Sequence, residues 1–257
     1  MPKKLRLTGD PAADKLLSDD PFALLVGLLL DQQFPMEHAF AGPRKIADRM
    51  DGFSITKIAE ADVEAFVELC VQPPAIHRYG ASMARRVHAL ALHVIEHYNG
   101  KAANIWKSGK PDAKEVLRRL KALPGYGDQK ARIFVALLGK QRGVTPDGWR
   151  EAAGAYGEEG SRRSIADVTS PETLAEVRAF KKAAKADAAK ADGPADGPAE
   201  VKAPAKAAVK APAKTPAKAA VKAAAKTAVK ASAKGKAAVK GKAAVTGKTT
   251  GKAAAKG

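Results

Sequence analysis

The chain has almost no cysteine and no long apolar run. Cys70 is the single cysteine among 257 residues, which excludes an internal disulfide and any four-cysteine zinc or iron–sulfur site. The longest apolar run, Phe22 to Leu30, lies between two aspartates and has about half the length that spans a bilayer. The N-terminus turns polar before an apolar stretch develops, so no signal peptide is expected. These absences favour an intracellular protein without membrane contact, in which Cys70 is a small buried hydrophobe.

Positive charge is concentrated at one end of the chain. Residues 181–257 contain 19 lysines and 4 acidic residues, so they carry 15 of the 18 net positive charges. Lysines recur every four residues from Lys202 to Lys234 among Ala, Pro and Val, a repeat that resembles the tails of linker histones. Such a segment cannot bury enough apolar surface to fold alone. We expect a globular domain over residues 1–180 and a disordered basic tail over residues 181–257. The tail is expected to bind DNA nonspecifically through counterion release, the alternatives being an anionic membrane or no partner.

The globular part has the pattern of an all-α protein. Apolar residues recur at three- and four-residue spacing in four segments, 62–71, 82–98, 113–122 and 128–139, and none of these segments shows strand alternation. Ser82 and Asp112 are candidate helix starts, and Gly139 is a candidate helix end. The segment around Phe22 to Leu30 is apolar on nearly every side, which predicts a central helix.

The stretch LPGYGDQKA, residues 123–131, joins two of these helices through a short turn. Gly125 and Gly127 can adopt positive φ and lack Cβ atoms, so the backbone can approach another surface closely. The free N–H groups at the start of the following helix favour an anion. The turn therefore suits a phosphate, although glycine at the end of a helix also explains a tight connection by itself.

LPGYGDQKA resembles the helix-hairpin-helix signature L-P-G-x-G, which binds a DNA backbone without reading its sequence. Two further segments, LLVGLLLDQQ and RYGASMARRVHALALHVIEHYNGK, are similar to parts of the helix-hairpin-helix-GPD superfamily of DNA glycosylases. The resemblance covers about residues 21–154 and implies a two-lobed, all-α glycosylase fold. It also implies DNA contacts by Gly125, Tyr126, Gly127 and Lys130.

The same resemblance implies an intercalating glutamine. A glycosylase turns its target base out of the duplex, and a side chain must occupy the space that is left. Gln33 is the first candidate for this wedge and Gln32 the second. The alternative is that both residues simply end a helix before Pro35.

Asp147, in VTPDGW, lies 20 residues past Gly127, at the position of the family's essential aspartate. A carboxylate there would stabilise oxocarbenium character on the sugar and take a proton from the attacking water. The alternative role for Asp147 is a helix N-cap. Family members that also cleave the strand carry a lysine where this chain has Gln129, and an amide cannot form a Schiff base. Lys130 is adjacent but about 100° further around the helix.

The sequence thus predicts a monofunctional DNA glycosylase of base excision repair that acts on a lesion in double-stranded DNA. No metal, iron–sulfur cluster or other cofactor is expected, and the protein is expected to be a monomer in the bacterial cytoplasm, associated with the nucleoid. The rival is a non-catalytic DNA-binding protein with the same fold. A structure-specific nuclease is disfavoured because no carboxylate cluster has metal-binding spacing. The excised base cannot be predicted, because the base pocket is assembled from residues far apart in the chain.

Overall fold

A computed structural model describes residues 4–191, which contain helices and no strand. Most of the predicted tail, residues 192–257, lies outside the described residues. Twelve α-helices are described: α1 (Pro11–Asp19), α2 (Pro21–Leu30), α3 (Met36–Phe40), α4 (Gly42–Arg49), α5 (Ile55–Glu60), α6 (Val63–Val71), α7 (Gly80–Tyr98), α8 (Asn104–Lys107), α9 (Ala113–Lys121), α10 (Asp128–Gln141), α11 (Trp149–Ala153) and α12 (Pro171–Ala191). Two single-turn 3₁₀ helices, Gly154–Tyr156 and Ile165–Asp167, lie between α11 and α12. The all-α prediction is confirmed for this part of the chain.

Helix α2 is the centre of the fold. Asp20 caps it by accepting hydrogen bonds from the backbone N–H groups of Phe22 and Ala23, and Pro21 occupies the first turn, where its missing N–H costs nothing. Every residue from Phe22 to Leu30 is buried. Helices α1, α3, α4, α7 and α10 all contact α2, which explains why its sequence is apolar on every side. The end of α2 is therefore held at a fixed place relative to most of the molecule.

Helices α9 and α10 pack against each other and are joined by residues 122–127. Asp112 caps α9, as predicted, by accepting a hydrogen bond from the Glu115 N–H. Asn99 ends α7 in the left-handed conformation, with φ +54°. Asparagine is one of the few residues besides glycine that adopts this conformation at low cost.

Three of the predicted helix-end signals are wrong. Ser82 lies inside α7, which begins two residues earlier without a side-chain cap. Gly139 lies inside α10, which continues for two more residues, and the ring of Trp149 packs against the face that glycine leaves open. The residue before α11 is Gly148, with φ +73°, so Asp147 is not the N-cap. Local propensity is overridden at these positions by packing with distant residues.

Helix α12 continues across the boundary that the composition predicts at residue 181. Its side chains contact the start of α3 and the residue after α2: Arg178 pairs with Glu37, and the Lys181 Nζ lies 3.1 Å from the Asp31 Oδ2. Within the described part of the chain, none of the helices combines the length and apolar character that crossing a bilayer requires.

Candidate nucleic-acid interface

The glycine turn, residues 122–127, packs directly on the end of α2. Gly125 has φ +80°, a conformation that side chains other than glycine's rarely adopt. A Cβ atom on Gly125 would lie 2.5 Å from the Leu29 Cδ1 and 3.8 Å from the Arg86 Cδ. Glycine is therefore required at this position by both the backbone and the packing.

Gly127 has a different role, because it precedes the first residue of α10 with φ −91° and open space around it. No side chain caps α10, so backbone N–H groups of its first turn are free to bind an exposed anion. Asp128, in that turn, carries a charge of the wrong sign for a phosphate. Hydrogen bonds from Arg132 and Lys121 lower the pKa of Asp128, and the same two cations offset its charge.

Tyr126, which the resemblance places among the DNA contacts, does not present its ring at the surface. Its side chain is buried, and its hydroxyl donates a hydrogen bond of 2.7 Å to the Leu25 carbonyl of α2. Burial raises the pKa of Tyr126 well above its ordinary value. The aromatic residue between the two glycines therefore fastens the glycine turn to α2 and leaves only its neighbours exposed.

Lys130 and Gln129, at the start of α10, make contacts with different parts of the molecule. The Lys130 Nζ donates a hydrogen bond of 2.7 Å to the Leu29 carbonyl, at the end of α2. Burial lowers the pKa of Lys130 to about 8, against the attraction of Asp31, which raises it. The exposed Gln129 instead donates to the Tyr156 hydroxyl at 3.0 Å. Lys130 is therefore only partly available to DNA, since one of its donors is used within the protein.

The glutamine turn, Asp31 to Phe34, follows α2 and lies beside the glycine turn. Gln32 and Gln33 are both exposed, as a wedge requires. Gln33 has φ +53°, the left-handed conformation, which costs about 1–2 kcal/mol for a residue other than glycine. The Gln32 Oε1 accepts a hydrogen bond of 3.0 Å from the Arg86 Nη1. The Gln33 carbonyl accepts one of 3.4 Å from the Arg78 Nη1.

His77 contacts the glutamine turn from the interior of the protein. The sequence offered no reason to single out this residue. Its Nε2 lies 3.0 Å from the Gln32 carbonyl, and its Nδ1 accepts a hydrogen bond of 2.9 Å from the Tyr79 N–H. The ring is buried and lies 4.6 Å from the ring of Phe34, centroid to centroid. Because Nδ1 is an acceptor, the proton is on Nε2, which donates to Gln32.

The basic cluster consists of Arg78, Arg86 and Lys130, which surround the glutamine turn. Arg78 and Arg86 are exposed, and the guanidinium of Arg78 lies 4.5 Å from the centre of the Tyr79 ring. These cations come from α10, from α7 and from the residues just before α7. Together with the start of α10, they form a surface suited to the phosphates of a nucleic acid.

Asp147 is not part of this surface. Its carbonyl accepts a hydrogen bond of 3.0 Å from the Ala113 N–H, at the end of α9 that is remote from the glycine turn. Trp149, two residues later, packs on Gly139. Gly139 is ten residues along α10 from Gln129, which corresponds to about 15 Å. The structure therefore does not bring the predicted catalytic carboxylate to the glycine turn.

A different carboxylate, Asp31, lies at the glutamine turn. Its side chain is 11% exposed, and one oxygen pairs with Lys181 at 3.1 Å. Lys130 lies close enough that the charge of Asp31 raises the pKa of the lysine. The sequence offered only the position of Asp31 at the end of an apolar run, which does not distinguish a functional carboxylate from a helix end.

A shallow depression of about 320 Å³ lies at the other end of α10, beside Trp149 and Gly139. The Lys140 Nζ pairs there with the Asp167 Oδ1 at 2.6 Å, and both side chains are largely buried. Asp167 also accepts hydrogen bonds from Ser161 and from the backbone of Arg163. This network ties the second 3₁₀ helix to α10, and Lys140 and Asp167 neutralise each other's charge.

Comparison of the chain with protein-family models, with curated proteins and with solved structures gave no match. The functional interpretation therefore depends on the residues of the chain and on their arrangement.

Proposed function

We propose that residues 1–180 form a two-lobed helix-hairpin-helix DNA glycosylase and that it acts in base excision repair. The observation that carries this proposal is the convergence of three exposed features: the glycine turn, the glutamine turn and the basic cluster. They come from stretches of sequence up to about a hundred residues apart, yet hydrogen bonds or direct packing join each of them to the end of α2 or to the turn that follows it.

Each feature has a part in binding double-stranded DNA. The free N–H groups at the start of α10 bind a backbone phosphate, and Gly127 leaves the approach to them open. Arg78 and Arg86 bind neighbouring phosphates. Gln33, projecting from a strained turn, enters the duplex and occupies the space of a base that has been turned out, at a cost of a few kcal/mol for unstacking.

Hydrolysis of the N-glycosidic bond requires a carboxylate near the sugar. The family resemblance assigns this role to Asp147, whereas the geometry of the interface favours Asp31, which lies at the glutamine turn. The enzyme is proposed to be monofunctional, because Gln129 stands in place of the lyase lysine, and to lack an iron–sulfur cluster, because the chain has a single cysteine. The product would be an intact strand with an abasic site.

The rival proposal is a non-catalytic DNA-binding protein. One observation favours it specifically: the backbone of Asp147 is bonded to the start of α9, at the end of that helix away from the glycine turn. A binding module needs the three features of the interface but neither carboxylate.

The basic tail would add affinity without sequence preference. Its lysines release counterions from DNA and would keep the globular domain close to its substrate at high effective concentration. We propose that the protein acts as a monomer on the bacterial nucleoid.

Base release under single-turnover conditions tests the proposal. The substrates are duplexes that each carry one lesion, among uracil, alkylated purines, oxidised bases and mismatched adenine, and alkali then reveals abasic sites. Asp31→Asn and Asp147→Asn are compared with wild type on the lesion that is excised. Loss of base release in one variant, with DNA binding retained, identifies the carboxylate. DNA binding by all three proteins without any base release supports the non-catalytic rival.

A further inference from the structure

We propose that His77 is a positioning residue that holds the glutamine turn in the conformation that presents Gln33 to DNA, and that it does so only when its ring is neutral. This inference rests on the proposed DNA-binding function of the interface. It adds a residue that does not touch DNA but determines whether the wedge is ready to enter it.

Two hydrogen bonds of the His77 ring connect the glutamine turn to the start of α7. The Nε2–H donates to the Gln32 carbonyl at 3.0 Å, and the Nδ1 accepts from the Tyr79 N–H at 2.9 Å. The ring of Phe34 packs on the same imidazole at 4.6 Å. His77 therefore contacts the residues on both sides of Gln33.

Gln33 requires such support because its backbone is strained. A glutamine keeps φ +53° only when contacts with its neighbours outweigh the strain energy of that conformation. The bond from His77 fixes the carbonyl that precedes Gln33, and the bond from Arg78 fixes the carbonyl of Gln33 itself. Removal of the His77 bond leaves the Gln33 carbonyl with the longer bond of 3.4 Å from Arg78, while Arg86 still holds the side chain of Gln32.

Protonation of His77 would break this arrangement. A proton on Nδ1 would face the Tyr79 N–H, so that two donors meet and the hydrogen bond is lost. Three cations lie near enough to act on the ring, Arg78 before α7, Arg86 on α7 and Lys130 on α10, and the ring of Tyr79 lies 5.8 Å from it. Burial and these three cations lower the pKa of His77, against the hydrogen bond to Gln32, which raises it. The Nε2–H can still donate to the Gln32 carbonyl, but the protonated ring has lost its own anchor at the start of α7. The turn is therefore held firmly at neutral pH and loosened in acid.

Three variants separate the functions of the ring. His77→Phe keeps an aromatic ring against Phe34 but removes both hydrogen bonds. His77→Gln keeps a donor for the Gln32 carbonyl and cannot titrate. His88→Gln is the matched control. Like His77, His88 is a buried histidine whose Nε2 contacts a backbone carbonyl, but it lies on α7 and its partner is Ala61, at 3.2 Å, away from the turn.

The mobility of a spin label at Gln33→Cys, in the full chain without DNA, tests the proposal. The native Cys70 is buried, and burial raises its pKa to about 12, so the new thiol alone reacts with the label. We expect the label to be immobile at pH 8 and to become mobile in acid when His77 is present. With His77→Phe the label should be mobile at both pH values, and with His77→Gln its mobility should not depend on pH. His88→Gln should behave as wild type.

Equal mobility in wild type and His77→Phe at pH 8 would overturn the proposal. If His77→Phe does not fold, His77→Gln decides the question, since an unchanged acid transition in that variant has the same meaning. Binding of an undamaged duplex at pH 8 is measured beside it on the wild type. Failure of that binding refutes the proposed function, whereas the label reports on the turn alone.

Discussion

Substitution of Gly127 by alanine separates DNA binding from folding more cleanly than any other change at the interface. The added Cβ would meet no atom within 4 Å, and φ −91° is compatible with alanine. Alanine is a poorer N-cap than glycine by up to about 1 kcal/mol. The loss of unfolded-state entropy offsets about 0.4–1 kcal/mol of that. We therefore expect Gly127→Ala to change the free energy of unfolding by less than about 1 kcal/mol in a urea titration.

DNA affinity should respond much more strongly, because the methyl group would stand where a phosphate approaches the first N–H groups of α10. Loss of one hydrogen bond to a charged group costs about 1.5–3 kcal/mol, which corresponds to roughly a tenfold to hundredfold weaker Kd. Fluorescence anisotropy with an undamaged duplex, over a series of salt concentrations, measures both the Kd and its salt dependence. The higher salt concentrations reduce the contribution of the basic tail.

Gly125→Ala is the matched comparison, with the opposite expectation. Its backbone has φ +80°, and the new Cβ would lie 2.5 Å from the Leu29 Cδ1. The left-handed conformation costs about 1–2 kcal/mol and the repacking of Leu29 about 1–3 kcal/mol, so a loss of about 2–5 kcal/mol of stability is expected. If Gly127→Ala binds DNA as tightly as wild type and with the same salt dependence, the glycine turn does not bind phosphate.

Three further predictions concern the glutamine turn, acid stability and covalent chemistry. Gln33→Gly should leave the free energy of unfolding unchanged or raise it by up to about 1 kcal/mol, because glycine relieves the strain at φ +53°. With this variant, 2-aminopurine in the DNA should no longer show the fluorescence increase that reports base extrusion. A clear loss of stability in urea would contradict the strain. Burial lowers the pKa values of His77 and His93 in the folded state, so the unfolded state takes up protons first as the pH falls below about 6.5. The free energy of unfolding should therefore decline with falling pH below that value. Urea titrations at pH 7.5, 6.5 and 5.5 measure this decline, which should be smaller in His77→Phe. Borohydride should trap no covalent adduct with DNA that contains an abasic site, because Gln129 has no amine and Lys130 donates to the Leu29 carbonyl. A trapped adduct that disappears in Lys130→Met would show lyase activity and contradict this prediction.

The helices could be predicted because the information for them is local. Apolar spacing and the caps at Asp20 and Asp112 lie within a few residues of the backbone that they organise. The errors at Ser82 and Gly139 have one cause, which is that tertiary packing extends a helix past a weak local signal.

The interface could be predicted only in part. Gln33 and the glycine turn were found because their patterns are continuous in the sequence. His77 was missed because its partner Gln32 is 45 residues away, and nothing near a histidine predicts a contact at that separation. The direction of the Tyr126 side chain could not be predicted, because a motif fixes only the position of a residue along the chain. The hydrogen bond to the Leu25 carbonyl sets that direction here.

Asp147 shows the same limit at larger scale. Its distance of 20 residues from Gly127 matches the family spacing, but the length of α10 and the path of the following loop decide where the carboxylate lies. The ring of Trp149 on Gly139 keeps that loop at the remote end of the helix. Asp31, by contrast, reaches the interface because α2 ends there.

Release of a base from a duplex that carries a single lesion, followed with excess enzyme over one turnover, tests the central claim most directly. The account predicts that wild type releases the base of at least one lesion and leaves an abasic site in an uncut strand. Tight binding of every duplex in the panel without release of any base would contradict it and would make the interface a site for DNA binding alone.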